Sequence, residues 1–217
     1  MIRVSELFDL SHTMAKAYLK GFAYPWDALK GIREMIVSLG RMLGPEYQEL
    51  FPEVWIHSSA SIAPTAYLGA PCIIGAGTEV RHGAFVRGAA LVGDNCVVGN
   101  SVELKNVILF DSVQTPHYNY VGDSILGYKA HMGAGSITSN VKSDKSPVVI
   151  RTVPPIETGM KKVGAMLGDE VEVGCGSVLN PGTVIGRKAN IYPLSMVRGC
   201  VPANSIYKKQ GEVVEKY

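Results

Sequence analysis

Aliphatic side chains recur at every sixth position over most of this chain, and no other feature of the sequence limits the fold so strongly. The first series is Ile56, Ile62, Leu68, Ile74, Val80, Val86, Val92, Val98 and Leu104. The second series is Leu167, Val173, Leu179, Ile185, Ile191 and Val197. An internal repeat of this kind determines the architecture in which every other element is placed.

A period of six residues matches neither an amphipathic helix nor a strand with one buried face, whose periods are about 3.6 and 2 residues. It matches one short strand followed by one corner, and three such units close a triangular coil. The aliphatic residue would then face the axis, and successive coils would hydrogen-bond at a spacing of about 4.8 Å. We therefore predict an all-β fold, a parallel β-helix built from hexapeptide repeats.

Residues 1–50 lack the repeat, and we predict that they form an α-helical cap. Within 27–43, aliphatic residues recur at helical intervals, and Gly44-Pro45 would end the helix. A solenoid needs such a cap because its end coil exposes the core. The predicted organisation is a helical cap over 1–50, a β-helix over 51–202 and a C-terminal tail over 203–217.

The repeat is interrupted twice. Its frame runs to Phe110, slips around 116–121, resumes at Leu126 and Met132, and is absent from 141–166. Interruptions of a solenoid usually carry loops on a binding face. We therefore predict an inserted loop at 141–166, with a possible short β-ribbon over 148–151, and a functional role for both interruptions.

Composition narrows the function classes. The net charge of +2 comes from 21 basic and 19 acidic residues without a polybasic block, which argues against nucleic acid as a partner. The chain has no run of eighteen apolar residues and five charged side chains among its first twenty residues, so we expect neither a membrane span nor a secretory signal, and a cytoplasmic location. The four cysteines form no C-x-x-C pair, so we expect neither a disulfide framework nor a structural metal.

The first interruption carries the most specific motif of the chain. Residues 116–123 read PHYNYVGD, and residues 133–140 read GAGSITSN. This resembles the acetyltransferase half of bifunctional glucosamine-1-phosphate acetyltransferase and N-acetylglucosamine-1-phosphate uridyltransferase, whose members show His-x-x-Tyr-x-Gly-Asp followed by Gly-Ala-Gly-x-Ile-x-x-Asn. The resemblance covers about residues 56–208. The segment ETGMKKVGA at 157–165 is similar to the archaeal sugar-1-phosphate nucleotidylyltransferase branch.

The resemblance implies a left-handed coil, against the usual right-handed crossover. It also implies transfer of an acetyl group from acetyl-CoA to the amine of an amino-sugar phosphate, such as glucosamine-1-phosphate or galactosamine-1-phosphate. Nothing in the sequence matches the Gly-rich nucleotide loop of the uridyltransferase half, so uridyl transfer is not expected. Members of the family form homotrimers with a cleft between neighbours, and no metal is expected.

Acyl transfer needs a general base, a donor for the carbonyl oxyanion and a clamp for the charge of the acceptor. By resemblance, His117 is the base and the backbone N–H of Ala134 is the oxyanion donor. The residues implied for the acceptor are Arg87, Lys105, Tyr120, Asn140 and His131. The residues implied for acetyl-CoA are Ala134, Cys175 and Pro193. Glu103 also matches a family position, or it orients Lys105.

Three positions depart from the family pattern. His131 stands where the family has Asn, Val141 where a Tyr is common, and Cys175 where a Ser is found near the cofactor. These departures leave the identity of the acceptor open. They also permit a second interpretation, a non-catalytic protein that binds a sugar nucleotide or serves in assembly.

A third interpretation is a γ-carbonic-anhydrase-like zinc enzyme, since that class shares the fold. It holds zinc with three histidines, and His82 and His117 have a comparable separation. The position of the third ligand is Gly122 in this chain, and a catalytic zinc needs about three protein ligands. The sequence therefore favours the acetyltransferase interpretation.

Overall fold

Short parallel strands stacked on three faces form the body of this computed structural model, which describes residues 2–216. Equivalent residues on successive coils lie 18 positions apart, as in the series Ile56, Ile74 and Val92. Eighteen residues are three six-residue units, one for each face. From Ile74 onward, the inward aliphatic side chains are buried. The predicted left-handed parallel β-helix is therefore confirmed.

Three faces and three corners describe the coil. Strands Glu103–Leu109 and Tyr120–Leu126 bend around a corner and contribute to both face 1 and face 3. Face 1 otherwise contains Tyr67–Leu68, Phe85–Val86, Ile137–Thr138, Val178–Leu179 and Met196–Val197. Face 2 contains Ser61–Ile62, Glu79–Val80, Val97–Asn100, Gln114–His117, His131–Met132, Glu172–Val173, Asn190–Ile191 and Ser205–Lys209. Face 3 otherwise contains Val54–His57, Cys72–Ile74, Ala90–Val92, Ala165–Leu167, Thr183–Ile185 and Cys200–Val201.

The corners are named by the faces that they join. Along the chain, corner A leads from face 1 to face 3, corner B from face 3 to face 2, and corner C from face 2 to face 1. Residues of one corner stack on one another from coil to coil, because the strands on either side are in register. Side chains far apart in sequence therefore come together along a corner.

The repeat frame slips earlier than the sequence predicted. Val86 pairs with Leu104, 18 residues on, whereas Val92 pairs with Leu109, only 17 residues on. The inward residue is thus Leu109 and not Phe110, so the prediction that the frame runs to Phe110 was wrong. Phe110 is also fully buried, because it packs against Phe8. Leu109 and Phe110 are both apolar, so the six-residue period did not show which of them faces the axis.

The shortened coils remove one residue from corner A. The second residue of the shortened corner is Asn106 on one coil and Asp123 on the next, with φ angles of 55° and 48°. Asn and Asp tolerate this left-handed region better than most other side chains. The slip therefore places polar side chains at the tightest turns of corner A.

The N-terminal residues cover face 3 from the side. They form α-helices Val4–Leu7, Lys16–Leu19 and Ile32–Gly40 and 3₁₀-helices Leu10–His12 and Pro25–Gly31. The outward residues of face 3, such as Ile73, Leu91 and Ile108, are fully buried beneath this segment. The predicted helical segment is present, but it packs along a face, whereas the sequence placed it at the end of the solenoid. The 27–43 prediction corresponds to the second 3₁₀-helix and the last α-helix.

Antiparallel strands close both ends of the solenoid. Tyr47–Phe51 pairs with Val54–His57 at one end, and Glu212–Glu215 pairs with Ser205–Lys209 at the other. Each added strand covers backbone groups that the end coil would leave unpaired. The stretch 203–217, predicted as a tail, thus contributes two strands to the fold. No helix among residues 2–216 combines the length and apolar character needed to cross a membrane.

The insertion, predicted over 141–166, leaves the solenoid at corner A and packs back on it, and the chain already rejoins face 3 at the strand Ala165–Leu167. Val149–Ile150 and Ile156–Glu157 form an antiparallel ribbon, close to the ribbon that the sequence suggested. Val148, Ile150 and Val163 are fully buried. The loop is thus held by its own apolar side chains against the following coils.

Candidate active site

Residues of corner C stack in one line that contains the predicted base and the predicted cofactor residues. Backbone hydrogen bonds of 2.8–3.0 Å join corner C of each coil to corner C of the next coil. They run from Tyr118 N to Asn100 O, Gly135 N to His117 O, Gly176 N to Ala134 O, and Leu194 N to Cys175 O. His117 and Ala134 therefore occupy neighbouring coils, followed by Cys175 and Pro193. All four of these residues are exposed.

A buried amide links His117 to the corner that carries Ala134. Asn119 is 2% exposed, and its Oδ1 accepts the backbone N–H of His117 at 3.2 Å. Its Nδ2 donates to the carbonyl oxygens of Gly133 and Ser136 at 2.9 and 3.0 Å. Asn119 thus fixes the backbone of one coil to the turn of the next, which sets the position of His117 relative to Ala134.

The backbone N–H of Ala134 is free to bind a ligand. Within residues 2–216 it meets no hydrogen-bond acceptor, since the coil contact of this turn is made by the next N–H, that of Gly135. A fixed, unpaired N–H can donate a hydrogen bond to an oxygen atom of a ligand. The side chain of His117 has no hydrogen-bond partner in the described part of the chain, so its imidazole is available to a substrate.

Corner A carries a second cluster, centred on Asp123. This carboxylate is 3% exposed and accepts from Lys105 Nζ at 3.0 and 3.1 Å. Asn106 Nδ2 donates to it at 2.9 Å and Asn140 Nδ2 at 2.5 Å. Asp123 therefore joins side chains from three successive coils.

The other acceptor residues border this cluster on face 1. Asn140 Nδ2 also lies 3.1 Å from the hydroxyl oxygen of Tyr120, and burial raises the pKa of Tyr120. Arg87 Nη1 donates to Glu103 Oε1 at 2.7 Å. Glu103 thus pairs with Arg87, and the alternative that it orients Lys105 is wrong because Asp123 holds that ammonium group.

The structure divides the predicted site residues into two groups. Corner C holds His117, Ala134, Cys175 and Pro193, whereas corner A and its border hold Arg87, Lys105, Tyr120 and Asn140. His131 lines a surface pocket together with Cys175 and Pro193 of the corner C group. It lies on face 2, where its Nδ1 is 2.8 Å from Glu172 Oε2 on the next coil.

Sequence reasoning missed two residues that organise these groups. Asp123 and Asn119 both stand inside the quoted 116–123 motif, but nothing in the sequence shows that they are buried. Their burial follows from the stacking of the coils, which surrounds each side chain with donors or acceptors from its neighbours. The motif was the only available signal for either residue.

The two histidines of the zinc interpretation, His82 and His117, both lie on corner C. Two coils separate them, which corresponds to about 10 Å along the axis. His82 Nδ1 is 2.7 Å from Thr65 Oγ1. Among residues 2–216, no three His, Cys, Asp or Glu side chains form a group that could hold a metal ion.

The chain is similar in sequence to one part of several curated bifunctional proteins. The bifunctional protein GlmU of Methanococcus maripaludis (strain DSM 14266) is 30% identical over 205 residues, which are 93% of this chain and 50% of that protein. The bifunctional sugar-1-phosphate nucleotidylyltransferase/acetyltransferase of Sulfurisphaera tokodaii is 33% identical over 109 residues, 50% of this chain and 27% of that protein. The chain spans half the length, or less, of these curated relatives.

A solved structure supports the fold. The polySia specific acetyltransferase NeuO has a TM-score of 0.50 and 11% sequence identity, covering 72% of this chain and 80% of that chain. This identity is low enough that the likeness concerns the fold alone.

The family model described as the GMPPB C-terminal domain matches residues 79–189, a span just over half of the chain. These residues include the His117–Asn140 motif and both interruptions of the repeat. Together with the relatives above, the match confirms the resemblance drawn from that motif. The chain belongs to the family of the GMPPB C-terminal domain.

Proposed function

We propose that this chain is an N-acetyltransferase that moves the acetyl group of acetyl-CoA to the amine of an amino-sugar phosphate. Glucosamine-1-phosphate and galactosamine-1-phosphate are the candidate acceptors. The observation that carries the proposal is the position of His117 beside the unpaired Ala134 N–H on neighbouring coils. The acetyltransferase activity named for the Sulfurisphaera tokodaii relative supports it.

The proposed reaction uses both groups in one addition and elimination. His117 removes a proton from the amine as the amine nitrogen attacks the thioester carbon. The carbonyl oxygen becomes an oxyanion, which accepts a hydrogen bond from Ala134 N–H. Collapse of this intermediate breaks the carbon–sulfur bond, and the coenzyme A thiolate takes the proton from His117.

The acceptor's charge would be met at corner A. The guanidinium of Arg87 is exposed and paired on one side only, with Glu103, so it retains donors for a phosphate. The Tyr120 hydroxyl and the Asn140 amide are hydrogen-bonding groups of the kind that read sugar hydroxyls. Lys105 is held by Asp123, and in this proposal it provides a fixed positive charge behind the phosphate.

A second copy of the chain would complete the site. The corner C group and the corner A group lie on opposite sides of face 1. Lys105 pairs with Gly122, and Gly122 follows His117 by five residues, which span up to about 17 Å when extended. The residues of both groups face solvent along the flat surface of face 1. Small-molecule sites bury most of their ligand, so a single chain would leave the substrates exposed. Exposed apolar side chains also line this face, with Tyr67 at 60% and Phe85 at 42% exposure. We therefore propose a cyclic homotrimer that covers face 1.

The test follows the free thiol released from acetyl-CoA with each candidate acceptor. The wild-type protein should release coenzyme A with glucosamine-1-phosphate or galactosamine-1-phosphate. His117→Ala should lower this rate roughly 10²-fold or more, because the general base is lost.

His82→Ala is a matched control. It removes an exposed histidine from the same corner, two coils away, and should leave the rate within about twofold of the wild type. Equal rates for His117→Ala and the wild type would refute the role of His117. Failure of the wild type to release thiol with any amino-sugar phosphate would favour a binding protein over an enzyme.

A further inference from the structure

The insertion encloses a pocket against the last coils of the solenoid. Its volume is about 330 Å³, and it lies between the loop and corner A. The polar residues that line it are Ser139, Lys142, Ser143, Asp144, Arg151, Asn180 and Arg198. Its lining residues Ser139 and Val141 flank Asn140 of the Asp123 cluster, and the proposed acetyl transfer gives no role to its two arginines.

The charge of the pocket is positive. Lys142 Nζ lies 3.5 Å from Asp144 Oδ2, so the carboxylate of the pocket already has a cationic partner. In the described part of the chain, no carboxylate oxygen lies within 4.0 Å of the guanidinium nitrogens of Arg151 or Arg198. Arg198 Nη2 makes only a long contact, 3.4 Å, with Asn180 Oδ1. Two arginines therefore bring uncompensated charge to one cavity.

Packing holds Arg151 beside Arg198. Gly199, which follows Arg198, has a φ of 94°, and a Cβ placed on it would lie 3.4 Å from Arg151 Cβ. A Cβ placed on Gly182, one coil earlier, would lie 2.8 Å from Val148 Cγ1. Both glycines let the loop approach the solenoid closely, so the position of Arg151 is set by buried apolar contacts.

The pocket also has a defined level along the axis. Ser139, Asn180 and Arg198 follow the paired residues Thr138, Leu179 and Val197, so they stack on successive coils. Arg198 is four coils beyond Lys105, a separation of about 19 Å. The same three coils carry Ala134, Cys175 and Pro193 on corner C. The pocket therefore lies at the level of the residues expected to face acetyl-CoA.

We propose that this pocket binds a phosphate ester or diphosphate group, with Arg151 and Arg198 as its cationic contacts. The planar guanidinium presents paired N–H donors that match phosphate oxygens. The phosphates of coenzyme A and the phosphate of a sugar phosphate share this chemistry. The inference rests on the pocket alone and holds whether or not the chain transfers acetyl groups.

Isothermal titration calorimetry at low ionic strength tests the proposal. The probes are coenzyme A, dephospho-coenzyme A, glucosamine-1-phosphate and inorganic phosphate, with N-acetylglucosamine as a phosphate-free control. At least one phosphorylated probe should bind, and Arg151→Gln and Arg198→Gln should each weaken it roughly tenfold or more. Arg41→Gln, which removes the same charge from an exposed site elsewhere, should leave the affinity unchanged.

The probe that responds to both substitutions identifies the source of the phosphate. A response of coenzyme A alone assigns the pocket to the acyl donor, and a response of the sugar phosphate alone assigns it to the acceptor. Affinities that do not change in either variant, or that fall equally in Arg41→Gln, would overturn the proposal. Because binding is measured without turnover, these results are independent of the thiol-release test, and circular dichroism verifies that each variant is folded.

Discussion

Replacing Asp123 by Asn tests whether one buried carboxylate holds corner A together. Each carboxylate oxygen accepts from the Lys105 ammonium, and the two oxygens accept separately from Asn106 and Asn140. In Asp123→Asn, an NH₂ group replaces one oxygen and faces two donors, so neither donor can be satisfied there. The backbone is not a confounding factor, because Asn tolerates the φ of 48° as well as Asp does.

The size of the loss follows from this geometry. Removing one partner of a buried ion pair costs about 3–5 kcal/mol, and an unsatisfied buried amide costs about 1–3 kcal/mol. The side chain of Lys105 is 26% exposed, so water recovers part of the solvation of the ammonium. We therefore expect a loss of about 3 kcal/mol in the free energy of unfolding.

Urea denaturation followed by far-UV circular dichroism measures this loss, at one fixed protein concentration because self-association would add stability. Glu79→Gln is the matched control, since Glu79 forms an exposed ion pair with Arg81 and such pairs contribute about 0–1 kcal/mol. A loss in Asp123→Asn no larger than in Glu79→Gln would show that Asp123 does not hold the corner.

Two further predictions concern the thiols and face 1. Burial raises the pKa of Cys72 and Cys96 to about 12, so at pH 8 a thiol reagent should not label them in the native protein. Exposed Cys175 should react fastest, exposed Cys200 more slowly because burial of its thiol also raises its pKa, and all four cysteines should react in urea. Equal labelling rates for all four in native protein would contradict the burial. Phe85→Asp places a charge on the apolar surface of face 1. If the proposed trimer covers this face, the variant should be monomeric in size-exclusion chromatography with light scattering, with the circular dichroism spectrum retained. A mass equal to that of the wild type would refute a contact through face 1.

The solenoid was predictable because its period is a local property. Each face of each coil needs one inward aliphatic residue, and the sequence supplies one every six positions. Residues such as Ile74 and Val92, which are equivalent in the repeat, therefore stack on one another. The slip at Leu109 was not predictable in the same way. Leu109 and Phe110 are both apolar and both buried, one by the solenoid and one by Phe8, and only the pairing of strands separates them.

The outward residues of face 3, which the N-terminal helices cover, differ in sequence from those of face 2. The central residues of the face 3 strands, such as Ile73, Leu91 and Ile108, are aliphatic, whereas outward residues of face 2 include Glu79, Gln114 and Glu172. Continuous apolar runs are typical of strands that are buried on both sides. The aliphatic outward residues therefore predict that another segment covers face 3, but they do not predict the order or the contacts of the helices that do so.

The sequence by itself determined the triangular coil with its three corners and the motif that contains His117, because each depends on residues that are close together in the chain. Only the tertiary structure decided which side chains of different coils meet, since that depends on register summed over every corner. Asp123 meets Lys105 and Asn140, Asn119 joins His117 to the Ala134 turn, and Arg151 comes to rest beside Arg198. The partner of each side chain depends on the lengths of the corners on both coils, which is why spacing alone did not reveal these contacts.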